Sequence, residues 1–99
     1  IDNINLMLEK VDSAYEVMIA NLNAAHEGTL SSIANAYNAE EQINVLRNEL
    51  REAEIEALED NDKNYQTSVY YIDIINELEH MGDYMINISQ SLERAFVEK

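Results

Sequence analysis

Two carboxylates in the stretch ELEHMGDYMINI, Glu77 to Ile88, stand four residues apart: Glu79 and Asp83, with Gly82, one of only 2 glycines in the chain, between them. On a helix, at ~100° per residue, the two lie on one side, and Asn76 and Asn87 extend their line by a turn each way. An apolar arc of Tyr71, Ile74, Leu78, Met81, Met85, Ile88 and Leu92 runs beside them, so the spacing predicts a pair at the edge of a core. Carboxylates half withdrawn from water either take up a proton or hold a cation between them. Oxygen donors with no thiolate nearby suit a hard cation, Mg2+, Ca2+, Mn2+ or iron, better than a closed zinc site. Earlier in the chain, Glu41, Asn44 and Asn48 share one polar line. Glu41, Asn44 and Asn48 would complete a cation's shell if their helix packs beside the other at matching height. The same residues also fit the solvated flank of an acidic chain, and spacing alone does not separate the two readings.

A glycine inside a helix costs ~1 kcal/mol relative to alanine, so Gly82 asks for a reason. It either lets a ligand or water approach or lets a neighbouring helix pack closely. His80 and Glu77 form a Glu-x-x-His pair, half of a ferritin-type di-iron ligand set, but the chain holds no second such pair and no fourth helix. His80 points roughly 100° away from Glu79, which places it on the surface, as His26 is placed. The tyrosines are expected to line the core and its rim, with Tyr84 facing outward. No nucleophile stands beside a base, so no catalytic residue is assigned and a non-enzymatic role is expected.

The elements that must hold these residues follow from periodicity. From 2 to 27, Ile4, Leu8, Val11, Tyr15, Met18, Leu22 and Ala25 alternate steps of four and three, a seam on a helix that Asp2 or Asn3 can cap. Gly28 suits the left-handed residue that ends a helix, and Thr29, Ser31 or Ser32 can cap the next. A second helix is expected over 30–59, with a seam of Ala39, Ile43, Leu46, Leu50, Ala53 and Ala57 and a separate line through Leu30, Ile33 and Tyr37. Glu59 to Asn64 is rich in residues that bond local backbone and reads as a turn. A third helix is expected over 64–97. Short loops between long helices predict an all-α, up-down-up three-helix bundle of antiparallel helices, a single domain over 1–99.

Composition agrees and narrows the function. The 99 residues include no proline, cysteine or tryptophan, as long helices without disulfides would have. With 20 acidic and 6 basic residues, the net charge is −14. A field of that sign repels nucleic acid and anionic lipid, so neither is an expected partner, and it attracts cations and basic partners. Lys10, Arg47, Arg51, Lys63, Arg94 and Lys99 are scattered and no glycine-rich phosphate loop exists, which argues against direct phosphate binding. No apolar run approaches ~18 residues. The first residue is Ile1 rather than Met, and the expectation is a domain cut from a longer protein.

The run Leu78-Glu79-His80-Met81-Gly82-Asp83, continuing to Asn87-Ile88, resembles the signature of the PhoU family, a Glu-x-x-Gly-Asp helix repeated in each three-helix bundle. Together with Tyr65 to Phe96 and the acidic stretch Glu40-Glu41-Gln42-Ile43-Asn44, the chain looks most like the single PhoU-like bundle that follows the membrane region of bacterial sodium/phosphate cotransporters. The resemblance implies a regulatory domain in phosphate homeostasis at the cytoplasmic face of the inner membrane. Its partner would be the transporter's membrane domain in the same chain or another regulatory protein, with a homodimer as a further possibility. It also implies a divalent metal held by Glu79 and Asp83, with Gly82 and Asn87 at the neighbouring motif positions. His80 departs from the family's usual arginine, and one bundle supplies one motif where full-length members have two. The rival reading from the residues is a metal-independent oligomerisation or docking module. An enzyme using the carboxylates as acid and base comes third.

Overall fold

The computed structural model describes residues 2–59 and 64–98. Helix α1 spans Asp2–Glu27, α2 Ala34–Glu59 and α3 Tyr65–Leu92. The turn Glu93–Val97 widens to i→i+5 bonding, with Glu98 N–H donating to the Glu93 carbonyl at 3.0 Å. The described residues are all-α and form a three-helix bundle 54 × 19 × 16 Å in extent. Cross-helix bonds fix the directions. Asn21 meets Asn35 and Lys10 meets Gln42, so α1 and α2 run antiparallel. Arg47 meets Glu79 and Glu54 meets Ser68, so α2 and α3 do too, and α1 and α3 are therefore parallel.

Helix α1 ends as its sequence predicts. Gly28 sits at φ 76°, its N–H donates to Ala25, and Thr29 N–H donates to the Ala24 carbonyl at 2.8 Å. This pair of bonds closes the helix around a left-handed residue that only glycine adopts without strain. Helix α2 begins at Ala34 rather than at residue 30. Ile33 supplies the first helical carbonyl, to Ala36 at 2.9 Å, and the Ser32 hydroxyl accepts from Ala34 N–H at 3.0 Å. The non-helical lead-in lets Ile33 bury fully against Ala36 and Ile86, closing that end of the bundle. Asn64 caps α3 by accepting from the N–H groups of Gln66 and Thr67. The expected turn residues Asp60, Asn61, Asp62 and Lys63, and the side chain of Asp2, lie outside the described residues.

Each buried stripe keeps one row of the expected seam, Val11, Met18 and Ala25 on α1, Ile43 and Leu50 on α2, Leu78 and Met85 on α3, and is rotated away from the other. On α1 the inward residues are Met7, Val11, Ala14, Met18, Asn21 and Ala25, while Leu8, Tyr15 and Leu22 are exposed. On α2 they are Ala36, Ile43, Leu50 and Glu54, with Ala53 exposed. On α3 they are Ser68, Ile75, Leu78, Glu79, Gly82, Met85, Ile86 and Ser89, while Ile74, Met81 and Ile88 are exposed. Bonds between buried polar groups explain the rotation. Asn21 donates to Asn35 Oδ1 at 3.2 Å and to Ser89 Oγ at 3.3 Å, joining all three helices at one level. Ser68 Oγ donates to Glu54 Oε2 at 2.6 Å at the far end. Polar groups that find partners across the bundle can be buried at small cost, and each fixes its helix's rotation.

Candidate functional site

Glu79 is not at the edge of the core. It belongs to the inward face of α3, its side chain only 10% exposed. Asp83, one turn on, is half-buried, and an oxygen of each carboxyl group falls within 4.8 Å of the other. Burial, then the bond to Asp83 and the charge of Asp83, hold the Glu79 carboxyl above the ordinary carboxylate range. Arg47 and His80 oppose that rise. Glu40 is pushed the same way by burial and by Asp83.

The cation already beside this pair comes from α2. Arg47 Nη1 lies 3.3 Å from Glu79 Oε1, and Arg47 Nε donates to Asn48 Oδ1 at 3.2 Å. Three positions of α2 that follow one another at helical spacing, Glu40, Asn44 and Arg47, thus carry the polar line that runs past the motif. The Asn44 Oδ1 atom is buried and makes no hydrogen bond, and the same holds for Asn76 Oδ1 on α3. Glu41 lies elsewhere: it is exposed and, with Lys10 and Gln42, lines an open groove of about 440 Å³ between α1 and α2. Asn87 is exposed as well. The structure thus brings Glu79, Asp83 and the line of Asn44 together, and does not bring Glu41 to them.

His80 is on the surface as expected, but it reaches the site. Its Nε2 is 3.9 Å from Glu79 Oε1 and its Nδ1 is 4.0 Å from Glu77 Oε1. One ligand atom each from Glu79, His80 and Asp83 all fall within 4.8 Å of one another. The 100° between neighbouring Cβ directions does not prevent this, because an imidazole folded back along the helix spans the gap. Arg47 had no signal in the sequence, since a scattered arginine acquires a partner only once the register of α2 against α3 is known.

Gly82 serves close packing. A Cβ there would lie 2.8 Å from Ile43 Cδ1. Beneath it, Ala14, Ala36 and Ala39 line a cleft of about 10 Å³, close to the size of one water. With no side chain at Gly82, Ile43 settles against the backbone of α3, and that approach carries Arg47, one turn along α2, to Glu79.

The donor set, two carboxylates and an imidazole, fits a hard or borderline divalent cation. No described helix is long and apolar enough to cross a membrane. A family model, the PhoU domain, matches residues 4–92. No curated protein and no solved structure matches the chain.

Proposed function

Because the chain belongs to the PhoU domain family, we propose that it is a regulatory domain in phosphate homeostasis whose packing responds to a divalent cation at Glu79 and Asp83. Family membership supports a regulatory, non-enzymatic role in phosphate homeostasis. The observation that carries the cation reading is the cluster of Glu79, His80 and Asp83, whose ligand atoms lie within 4.8 Å of one another, with Arg47 3.3 Å from Glu79. A bound divalent ion would supply a second positive charge there. Glu79 and Asp83 present oxygens to it, and His80 offers Nε2. Arg47, then sharing Glu79 with the ion, is released toward Asn48. Since Arg47 ties α2 to α3 at this level, its release loosens the contact between those helices. We further place the domain beside the membrane region of a sodium-dependent phosphate transporter, on the inner face, from the likeness of its motif to that group.

Thermal unfolding of the metal-free chain with and without millimolar Mn2+ tests the cation reading: an ion that binds only the folded state raises Tm. The rise is expected in the wild-type chain and absent in Glu79→Gln, and an equal rise in both would refute it. The transporter placement requires apolar spans of ~18 or more residues in the protein that carries this domain, and their absence there would refute it.

A further inference from the structure

Two apolar stripes that the core does not use stand side by side on the flank of the bundle away from α2. On α1 they are Leu8, Tyr15 and Leu22, and on α3 Ile74, Met81 and Ile88, each set spaced by seven. These six side chains are 38–51% exposed, too open for a seam and too regular for scatter. Their placement follows from the cross-helix bonds. Lys10 turns one flank of α1 to α2, and Glu79 turns one flank of α3 to α2. The opposite flanks, which carry the stripes, therefore border the groove between α1 and α3. The pairs Leu8/Ile74, Tyr15/Met81 and Leu22/Ile88 keep nearly the sequence offset of the bonded pair Asn21/Ser89, so the two parallel stripes form three rungs at matching heights.

We propose that this face docks an amphipathic helix whose apolar ridge is bordered by lysine or arginine. Charge selects that occupant. The charged residues beside the stripes are Asp12 and Glu16 on α1 and Asp73 and Glu77 on α3, all exposed. Helix α3 contains no lysine or arginine, and the single lysine of α1, Lys10, is bonded to Gln42 in the other groove. A second copy of this chain would set acid against acid along the contact, at a net charge of −14 per copy. A basic ridge meets the same acids favourably while its apolar residues fill the groove between the rungs, the helix-in-groove mode. The face lies about half a helical turn around α3 from Glu79, so the proposal stands apart from the cation reading.

The probe is a synthetic 21-residue helical peptide with leucine at two seam positions of every heptad and lysine at the flanking positions, set against the same peptide with glutamate for lysine. Titration into the chain, followed by backbone amide NMR, is expected to shift Leu8, Tyr15, Leu22, Met81 and Ile88 with the lysine peptide and to give no saturable shift with the glutamate one. The neutral double variant Tyr15→Ser/Met81→Ser should weaken binding at least tenfold with helical circular dichroism unchanged. If it loses helicity, either single variant serves the same comparison. Shifts spread over all acidic faces and indifferent to these substitutions would mean charge attraction alone and overturn the proposal. So would a chain that sediments as a dimer and becomes monomeric in the double variant, because a second copy would then own the face.

Discussion

Arg47 on α2 places its guanidinium 3.3 Å from the carboxylate of Glu79 on α3. The acidic motif of this bundle is therefore balanced from a neighbouring helix, at the position where Ile43 packs onto Gly82. Close packing and charge balance are one arrangement: the glycine brings α2 near enough for the arginine to reach. In the proposed cation reading, an ion at the motif would compete with a side chain that helps hold the helices together, and occupancy would become a change in packing.

Arg47→Gln leaves the Glu79–Asp83 pair without its nearest positive charge. Removing one partner of a partly buried ion pair should cost about 1–2 kcal/mol here, below the fully buried range because Arg47 remains partly open to water. In Arg47→Gln/Glu79→Gln most of that loss should return. Urea unfolding of the four forms gives the coupling, and additive losses would show that the pair contributes nothing.

Protons should stabilise this fold. Burial, then Asp83, raises Glu79, and burial, then Asp83, raises Glu40. Folding therefore takes up protons between the ordinary carboxylate range and the raised values. Their contribution is fully present below the unfolded carboxylate range and is lost as pH rises through the folded values. Tm should climb as pH falls from neutral toward that range, and the climb should be shallower in Glu79→Gln. An unchanged slope would mean that Glu79 does not titrate there.

Gly82→Ala puts a Cβ 2.8 Å from Ile43 Cδ1, the far end of a side chain that can turn aside. Helix propensity favours alanine by ~1 kcal/mol, so the net change should stay within about 1 kcal/mol of zero. Adding Ile43→Val should make the alanine net stabilising. Gly82→Leu, which no rotamer change accommodates, should cost about 2–3 kcal/mol. Thermal melts of the series decide it, and a harmless Gly82→Leu would contradict the packing role.

Asn21→Ala removes the donor that joins Asn35 and the fully buried Ser89. A loss of about 1–3 kcal/mol is expected, read from the urea midpoint at unchanged m. No loss would mean that the three-helix junction is ornamental to stability.

The number of helices, their order and most of their ends were legible in the sequence because caps and periodicity are local. Gly28 and Asn64 act where their chemistry suggests. The rotation of each helix was legible by half: Val11, Met18 and Ala25 on α1, Ile43 and Leu50 on α2, and Leu78 and Met85 on α3 are core as their seams suggest. Leu8, Tyr15 and Leu22 are more apolar than Met7, Ala14 and Asn21, so a hydrophobic reading of α1 picks the wrong second row. The true rows are set by polar pairs such as Asn21/Ser89 and Glu54/Ser68, whose partners lie far off in sequence. The same blindness put Glu79 at the rim, set Glu41 opposite it, and left Arg47 unmarked. One of the two apolar rows taken for core on each of α1 and α3 became the exposed rungs.

The most direct test of the central claim is calorimetric titration of the metal-free chain with Mn2+ at neutral pH. Saturable binding tighter than millimolar is predicted, with affinity at least tenfold weaker in Glu79→Gln. Binding no tighter than millimolar, or the same affinity in Glu79→Gln, would contradict it.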